Sequence, residues 1–232
     1  MKLGIMQPYL FPYIGYFQLI NTVDKFVIFD DVNFINKGWI NRNRILLNKQ
    51  EHMFTIPLEK ASQNRMINDI NLYVNNGWKG KLLKTFDNAY RKAPMFREVY
   101  PILERIIGFE ERNLSTFISN SIEQICIYLK IDTHIVLSSL RYNTGHLKGQ
   151  DKILEICRIE KSDVYINLFG GLEIYHKEAF EKQSLELLFL KSKPIHYKQF
   201  RSDYIPSLSI IDIMMFNEKD KITDYLNEYE LI

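Results

Sequence analysis

The sequence predicts an α/β fold in which a mostly parallel sheet is flanked by helices. Short apolar runs with strand character alternate along the chain with longer segments whose apolar residues recur at helical spacing. Such alternation is typical of parallel sheets, because each crossover helix has to pack back onto the sheet. The run at 185–190 is continuously apolar, as expected for a strand that is buried on both faces.

The N-terminal stretch predicts a strand, a loop, a helix and a second strand, in that order. The first apolar run stops before Pro8, which has no amide proton and cannot continue a central strand. Apolar residues at 14–23 have helical spacing, and a second run at 26–29 ends on Asp30 and Asp31. Because ligands of open α/β sheets bind beyond the carboxyl ends of the strands, we expect the functional site to begin here.

The middle of the chain departs from this alternation. Residues 45–74 have the turn chemistry of a hairpin and predict a small antiparallel β insertion, with strands at 45–47, 53–57 and 69–74. Helical spacing then predicts a helical block at about 78–130, built from helices at 78–91, 100–107 and 114–129. We expect residues 1–232 to form a single domain that includes both features.

The C-terminal part returns to alternating elements. Strands are predicted at 134–137, 164–168, 185–190 and 197–200. Helices are predicted at 147–159, 172–182 and 206–216, and a polar helix closes the chain. Ser207 or Ser209 is expected to cap the helix at 206–216.

Composition argues against several classes of protein. Thirty basic and 28 acidic residues leave a net charge of +2, which argues against nucleic acid as a partner. Cys126 and Cys157 lie in apolar, helical surroundings, which favours a reducing compartment. The sequence shows neither a signal peptide nor the roughly 20 apolar residues that span a bilayer, so we expect a cytoplasmic protein without membrane insertion. The five histidines have no metal-ligand spacing, and no metal site is predicted.

Acidic and imidazole side chains near the predicted strand ends are the candidates for catalysis. The two aspartates after the second strand could hold Mg²⁺, orient a substrate amine or act as a base; a helix cap or an exposed turn is the structural alternative. A histidine in a long polar loop is a candidate acid or base, although a lone loop histidine is more often a surface residue. The predicted catalytic residues are Asp30, Asp31 and His146.

Basic side chains cluster in two loops. Three of them surround Trp39, and the alternative to anion binding there is a solvated charged face. Two more lie in the loop between a predicted strand and the helix that follows it, and the N-terminal amides of a helix favour anions. The predicted phosphate-binding residues are Lys37, Arg42, Arg44, Arg141 and Lys148.

Aromatic, amide and glycine residues complete the predicted site. Aromatic rings in loops suit a sugar or a planar ring, although core packing explains most of the aromatic residues of this chain. Paired glycines after a strand allow the backbone to approach a ligand closely. The predicted substrate-binding residues are Gln7, Tyr9, Phe11, Trp39, Asn41, Asn167, Gly170 and Gly171.

Motifs spread along the chain carry a family resemblance. They are Gln7-Pro8-Tyr9, Phe11-Pro12-Tyr13, Gly15-Tyr16-Phe17, Asp30-Asp31-Val32, Trp39 with Asn41-Arg42-Asn43, Tyr165-Ile166-Asn167, Gly170-Gly171, Tyr175, and Pro206 with Leu208-Ser209-Ile210-Ile211-Asp212. Together they resemble the WbqC-like family over nearly the whole chain, and His146 departs from the family pattern. The resemblance implies an association with bacterial O-antigen and surface-polysaccharide gene clusters, and a role in glycyl or similar acyl transfer to an amino sugar.

The opening strand, proline-rich loop and helix are also similar to the start of the nucleotidyltransferase-like synthetases, which have a Rossmann-like fold. This is an analogy of fold alone. Those enzymes activate a carboxylate with ATP, and the paired histidines of their signature are missing from this chain. We therefore expect a transferase that acts on the amino group of a nucleotide-linked sugar, with ATP and Mg²⁺ as candidate cofactors. The alternative is a non-catalytic partner of a glycosyltransferase complex that binds a nucleotide sugar. The sequence leaves open whether the protein forms a homodimer.

Overall fold

Ten strands and eight helices make up the part of the chain that the computed structural model describes, residues 1–74 and 77–232. The strands are β1 (Lys2–Met6), β2 (Lys25–Ile28), β3 (Arg42–Leu47), β4 (Gln50–Thr55), β5 (Leu58–Glu59), β6 (Asn71–Leu72), β7 (His134–Val136), β8 (Val164–Leu168), β9 (Glu186–Ser192) and β10 (Tyr229–Leu231). The helices are α1 (Ile14–Thr22), α2 (Trp78–Tyr90), α3 (Phe96–Gly108), α4 (Leu114–Leu129), α5 (Gly149–Glu160), α6 (Lys177–Glu181), α7 (Ile210–Phe216) and α8 (Lys219–Leu226).

The central sheet has six strands in the order β10-β9-β8-β1-β2-β7. The strands from β9 to β7 are parallel to their neighbours, and β10 pairs with β9 in the antiparallel direction. In this register Ile5 lies opposite Val27, and Gly4 lies opposite both Phe26 and Ile166. The predicted α/β fold with a mostly parallel sheet is confirmed.

Helices cover both faces of the sheet because successive strand residues point to opposite sides. In β1, Leu3 and Ile5 join a buried cluster that includes Ile153 and Ile156 of α5. Gly4 points to the other face, where an added Cβ would lie 3.1 Å from the ring of Phe26 and within 3.5 Å of two further side chains. That second face packs against α1 and the larger of the two apolar clusters.

The hairpin and the helical region lie beside this sheet. Strands β3 and β4 pair in the antiparallel direction across a turn at 48–49, and β5 and β6 form a second short pair. Helices α2, α3 and α4 follow where the helical block is predicted. Asn113 caps α4 by accepting a hydrogen bond from the amide of Thr116, and Ser209 caps α7 through the amide of Ile211. The single-domain organisation stays a prediction.

The strand predicted at 197–200 is wrong. The chain leaves the sheet after Ser192, and the position beside β9 is taken instead by β10, which follows the last helix. The side chains of Tyr197 and Gln199 turn inward to donate hydrogen bonds to Asp212. Side-chain hydrogen bonds to α7 therefore hold the segment at 197–200, which does not pair with the sheet.

Several other element bounds differ from the prediction, among them the start of α7, which is at Ile210 rather than near 206. The strand predicted at 69–74 shortens to β6, because residues 67–69 form a 3₁₀ turn. Helix α3 begins at Phe96 and contains Pro101, where the prediction placed that proline in the first turn. Helix α6 begins at Lys177 rather than near 172, because Phe169–Gly171 forms a separate 3₁₀ turn. None of the helices within 1–74 and 77–232 is long and apolar enough to cross a membrane.

Candidate functional site

The order of the sheet strands reverses beside β1. The chain proceeds from β1 to β2 on one side, and later places β8 on the other. In open α/β sheets the crevice at such a reversal, at the carboxyl ends of the strands, is the usual ligand site. A cavity of about 380 Å³ lies there, which we call the switch-point cleft. Its lining includes Gln7, Tyr9, Tyr13, Phe29, Ile35, Asn167, Gly170, Gly171 and Tyr175.

An amide and two phenols form a network on the β8 side of the switch-point cleft. The Nδ2 atom of Asn167 donates to the hydroxyls of Tyr165 and Tyr175, at 2.5 and 3.3 Å. Burial raises the pKa of both tyrosines, so both phenols are protonated at neutral pH. The Tyr165 hydroxyl also donates to that of Tyr175, at 3.4 Å. Tyr175 accepts in these contacts, which leaves its own proton available to a ligand in the cleft.

Gly171 fits closely behind this network. A Cβ atom at Gly171 would lie 3.1 Å from Oδ1 of Asn167 and 3.2 Å from Cε2 of Tyr175. The Asn167 oxygen cannot move freely, since it accepts a hydrogen bond of 2.7 Å from the amide of Leu168. Gly171 is therefore restricted by its protein neighbours, whereas a Cβ at Gly170 would meet no atom within 4 Å, and the approach of a ligand to these glycines stays a prediction.

Gly171→Ala is expected to lower the free energy of unfolding by about 1–3 kcal/mol, the usual cost of overpacking a filled site. The same change should weaken any ligand that binds to Asn167 and Tyr175. Gly170→Ala is the matched control, and we expect it to change stability by less than about 0.5 kcal/mol. Urea denaturation of the two variants checks this; equal effects would show that the contacts behind Gly171 do not restrict this position.

Tyr9 and Tyr13 connect the switch-point cleft to a second cavity of about 320 Å³, which we call the arginine pocket. Burial raises the pKa of both tyrosines, and Tyr9 donates to Oε1 of Gln7 across 3.5 Å. The lining of the arginine pocket is Tyr9, Pro12, Tyr13, Trp39, Asn43, Arg44 and Ser207. The two cavities are therefore neighbours that share two tyrosines, and of the two only the arginine pocket is lined by a charged side chain, Arg44.

Arg44 is the cation of the arginine pocket. Its guanidinium binds Glu51 at 2.9 Å and donates to the carbonyl of Ser207 at 3.3 Å. The Cζ atom lies 5.3 Å from the ring centroid of Trp39, and that indole is 40% exposed. The Nε atom of Arg44 is buried and has no hydrogen-bond partner. The side chain is thus held in place while part of its donor capacity is unused.

The other predicted residues of the loop around Trp39 make hydrogen bonds to backbone atoms or are exposed. Arg42 donates to the carbonyls of Lys37 and Gly38, and its Cζ atom lies 5.9 Å from the Trp39 centroid. Asn41 and Ile56 bind one another, with Nδ2 of Asn41 donating to the carbonyl of Ile56 at 2.9 Å. Arg42 and Asn41 therefore shape the loop that presents Trp39, whereas Lys37 is exposed to solvent.

Phe11 does not fit the stacking role that the sequence predicts for it. Its side chain is fully buried, and its ring lies edge-on to Phe54 and Phe86 at centroid distances of 6.3 and 6.1 Å. Its backbone has a φ of 45°, and its carbonyl accepts hydrogen bonds from Asn43 and Ser209. A ring with no exposed surface cannot stack on a ligand, so Phe11 belongs to the core beneath the arginine pocket.

Asp31 forms a buried ion pair that the sequence analysis missed. Its Oδ2 atom lies 2.6 Å from Nζ of Lys152, and both side chains are 3% exposed. The same ammonium donates to the Asp31 carbonyl at 2.7 Å, and the hydroxyl of Ser139 donates to the other carboxylate oxygen. Lys152 lies one helical turn before Ile156, a spacing that places it on the buried face of α5. The carboxylate therefore ties β2 to α5, which differs from its predicted catalytic role.

Asp30 is also engaged by the protein itself. It is 2% exposed and accepts hydrogen bonds from the hydroxyls of Ser115 and Ser138, at 2.7 and 2.8 Å, and from the amide of Ser139 at 3.1 Å. Burial raises the pKa of Asp30, and the serine hydrogen bonds oppose that shift. Both oxygens are occupied by protein donors, so the residue does not fit a Mg²⁺ ligand. Across 1–74 and 77–232, no group of three or more His, Cys, Asp or Glu side chains is placed to hold a metal ion.

The remaining predicted residues lie outside both cavities. His146, Arg141 and Lys148 are exposed, and none of them is among the residues that line the switch-point cleft or the arginine pocket. The guanidinium of Arg141 lies over Tyr142, 5.7 Å from its ring centroid. The structure therefore brings the N-terminal loop and the end of β8 together and leaves the loop at 138–148 apart from them. Tyr13 and Tyr175, which line the cleft, lie in the family motifs but were not predicted as site residues.

Comparisons with known proteins agree with the resemblance noted in the sequence. The sequence profile of the WbqC-like protein family matches residues 7–224. The chain is 27% identical over 228 residues to Rv1507c, an uncharacterized protein of Mycobacterium tuberculosis, and the match covers 97% of each chain. No solved structure matches.

Proposed function

Since the chain belongs to the WbqC-like protein family, we propose that it is a transferase that acts on the amino group of a nucleotide-linked sugar. The transferred group would be glycyl or a similar acyl group, and the reaction would serve the cytoplasmic synthesis of O-antigen or another surface polysaccharide. One observation supports the substrate class. The switch-point cleft and the arginine pocket share Tyr9 and Tyr13, so neutral polar groups adjoin a cation that suits phosphate.

The arginine pocket would hold the nucleotide end of the substrate. Arginine binds phosphate oxygens through several N–H groups at once, and the Arg44 side chain, which is 26% exposed, lines this pocket. Trp39 offers a 40% exposed indole on which a base or a sugar ring can stack. The contact between Arg44 and Trp39 keeps both groups facing the same space.

The switch-point cleft would hold the sugar. Gln7 offers an amide, and the hydroxyl oxygen of Tyr9 can accept a hydrogen bond from the sugar. Such hydrogen bonds to neutral donors and acceptors fix a sugar ring without a charge.

Acyl transfer in this cleft would depend on positioning. The neutral amine nitrogen forms a bond to the carbonyl carbon of an activated acyl donor such as an acyl adenylate, the bond from that carbon to the phosphate oxygen breaks, AMP leaves, and the proton of the amine passes to solvent. The residues that line the switch-point cleft include no Asp, Glu, His or Lys. An acyl group that arrives already activated needs orientation above all, and holding two reactants together is a large part of many rate enhancements. The proton of Tyr175 is the group that would stabilise negative charge on the acyl oxygen.

The alternative function is non-catalytic binding of a nucleotide sugar as a partner of a glycosyltransferase complex. It is favoured by the fact that both predicted catalytic carboxylates, Asp30 and Asp31, are satisfied within the protein. Incubation with a panel of nucleotide-linked amino sugars and either a preformed glycyl thioester or glycyl adenylate, or ATP with glycine, followed by mass spectrometry, separates the two. An acylated sugar identifies the enzyme, whereas binding without any product supports the alternative.

Arg44→Met is expected to weaken the binding of a nucleotide sugar by about tenfold or more, the typical loss of a charge-assisted hydrogen bond. The measurement is a thermal-shift screen against ATP, AMP and UDP-, dTDP- and GDP-sugars, with and without Mg²⁺, because a ligand of the folded state raises the melting temperature. Lys148→Met, an exposed residue outside both cavities, is the matched control. Absence of stabilisation by the whole panel, or equal losses in the two variants, would contradict the proposed site.

A further inference from the structure

A third cavity of about 650 Å³, which we call the acidic cavity, opens where β2 and β7 end. Asp30 follows β2 in the chain, and Ser138 follows β7. Helix α4 and the turn at 67–69 supply other parts of the lining. None of the residues that line the acidic cavity lines the switch-point cleft or the arginine pocket, so it is a separate feature of the same sheet edge.

The charged side chains that line the acidic cavity are all acidic. Asp30, Asp69 and Glu123 contribute carboxyl groups, and the lining includes no Lys, Arg or His. Burial raises the pKa of Glu123 above its ordinary value, with no cation opposing the shift. Arg65 lies nearby, but its contact there is with the backbone carbonyl of Asp69 rather than the carboxylate. Asp30 is already engaged by protein donors, so Asp69 and Glu123 are the carboxylates of this lining that a cation from outside the protein would meet.

A buried hydroxyl in the lining lacks a partner. Ser119, on α4, is 2% exposed, lines the acidic cavity and makes no hydrogen bond. Two other serines of the same helix are satisfied, since Ser121 donates to the carbonyl of Ile118 and Ser115 donates to Asp30. Buried polar atoms are nearly always paired in folded proteins, and an exception needs an explanation. A ligand that donates to the Ser119 oxygen supplies one.

We propose that the acidic cavity binds a small ligand that carries a primary ammonium group. Its N–H donors would reach the carboxylates of Asp69 and Glu123 and the hydroxyl oxygen of Ser119, all of which accept hydrogen bonds. The exposed side chains of Leu137 and Leu140, which are 46% and 58% exposed, would contact the carbon skeleton of the ligand. Amino sugars and aliphatic diamines both carry such a group. The site goes beyond the proposed function, because it uses none of the residues of the cleft or the arginine pocket.

Binding of two amines and their neutral analogues tests the proposal. Isothermal titration calorimetry of the full chain at pH 7 would compare glucosamine with glucose, and putrescine with 1,4-butanediol. We expect at least one amine to bind about tenfold more tightly than its neutral analogue, the size of one moderately shielded charge pair. Binding by glucosamine alone identifies an amino-sugar site, and binding by putrescine alone identifies a diamine site. Equal affinities within both pairs would overturn the proposal.

Two variants locate the amine. Glu123→Gln should weaken amine binding by about tenfold, while Glu104→Gln, an exposed residue of α3, should leave it unchanged. Amine binding that survives Glu123→Gln undiminished would place the amine elsewhere and overturn the proposal. Arg44→Met should have no effect on amine binding, so this site and the proposed nucleotide site can fail independently.

The variant Ser119→Ala tests whether the Ser119 hydroxyl contacts the ligand or serves only the fold. Removal of an unpaired buried hydroxyl should keep or raise the melting temperature of the free protein, while amine binding weakens by about threefold through loss of one hydrogen bond. A lower melting temperature together with unchanged amine binding would show that the hydroxyl serves the fold, which contradicts its assigned role.

Discussion

Lys152→Met is expected to lower the free energy of unfolding by about 3–5 kcal/mol, the usual cost of removing one partner from a buried ion pair. The ammonium of Lys152 lies 2.6 Å from Asp31, and both side chains are 3% exposed. Without it, the Asp31 carboxylate keeps the hydrogen bond from Ser139 but has no opposite charge in contact. A buried charge without its partner bears the full cost of its transfer from water.

A second substitution shows whether this loss comes from the unpaired charge. Lys152→Met combined with Asp31→Asn should recover part of the stability, because replacing a whole buried ion pair is often close to neutral. Arg158→Gln, which breaks an exposed pair with Glu155 on the same helix, is the control and should cost less than about 1 kcal/mol. Urea denaturation measures all three. A single variant as stable as the control, or a double variant less stable than Lys152→Met, would contradict a structural role for the pair.

Elements that depend on a local pattern could be predicted from the sequence. Helix α4 has the predicted bounds, since its apolar stripe and its cap at Asn113 are both local signals. Strand β8 is likewise a compact apolar run with predicted bounds. Strand β10 could not be found in this way, because its three residues become a strand only by pairing with β9, about 40 positions earlier in the chain.

The same distinction between local and long-range signals applies to the residues of the site. Polar residues at the ends of β1 and β8 are local signals, and the sheet brings Gln7, Asn167 and Gly171 to the lining of one cleft, where their role in substrate binding stays a prediction. Whether a carboxylate serves chemistry or structure depends on partners far away in sequence. Lys152 lies 121 positions from Asp31, and nothing in the residues around Asp31 indicates that pairing. Phe11 shows the same limit, since only the tertiary fold places Phe54 and Phe86 around its ring.

A third buried carboxylate anchors the segment that leads to Ser207 of the arginine pocket. Asp212, on α7, is fully buried and accepts hydrogen bonds from Tyr90 and Tyr197 at 2.7 Å and from Gln199 at 2.9 Å. Burial raises its pKa, and the three donors oppose that shift. Gln199 also binds both backbone groups of Ile205, at 3.0 and 3.1 Å. Asp212 therefore fixes the segment that leads to Ser207 in the arginine pocket.

Asp212→Ala is expected to lower the free energy of unfolding by about 3–5 kcal/mol, because it leaves three buried donors unpaired and opens a cavity beside them. Asp212→Asn keeps one acceptor oxygen and should show a smaller loss. The control is Asp224→Ala, an exposed residue of α8 paired with Lys221, which should cost less than about 1 kcal/mol.

Urea denaturation gives these values, and a thermal-shift titration of Asp212→Asn with nucleotide sugars gives the effect on the arginine pocket. Since Asp212 makes no contact with the proposed ligand, the Asn variant should bind more weakly only by loosening the segment around Ser207. Arg44→Met should then lose less affinity in the Asp212→Asn background than in the wild type, because the two changes affect the same wall. Fully additive losses would mean that Asp212 stabilises the fold without positioning the pocket.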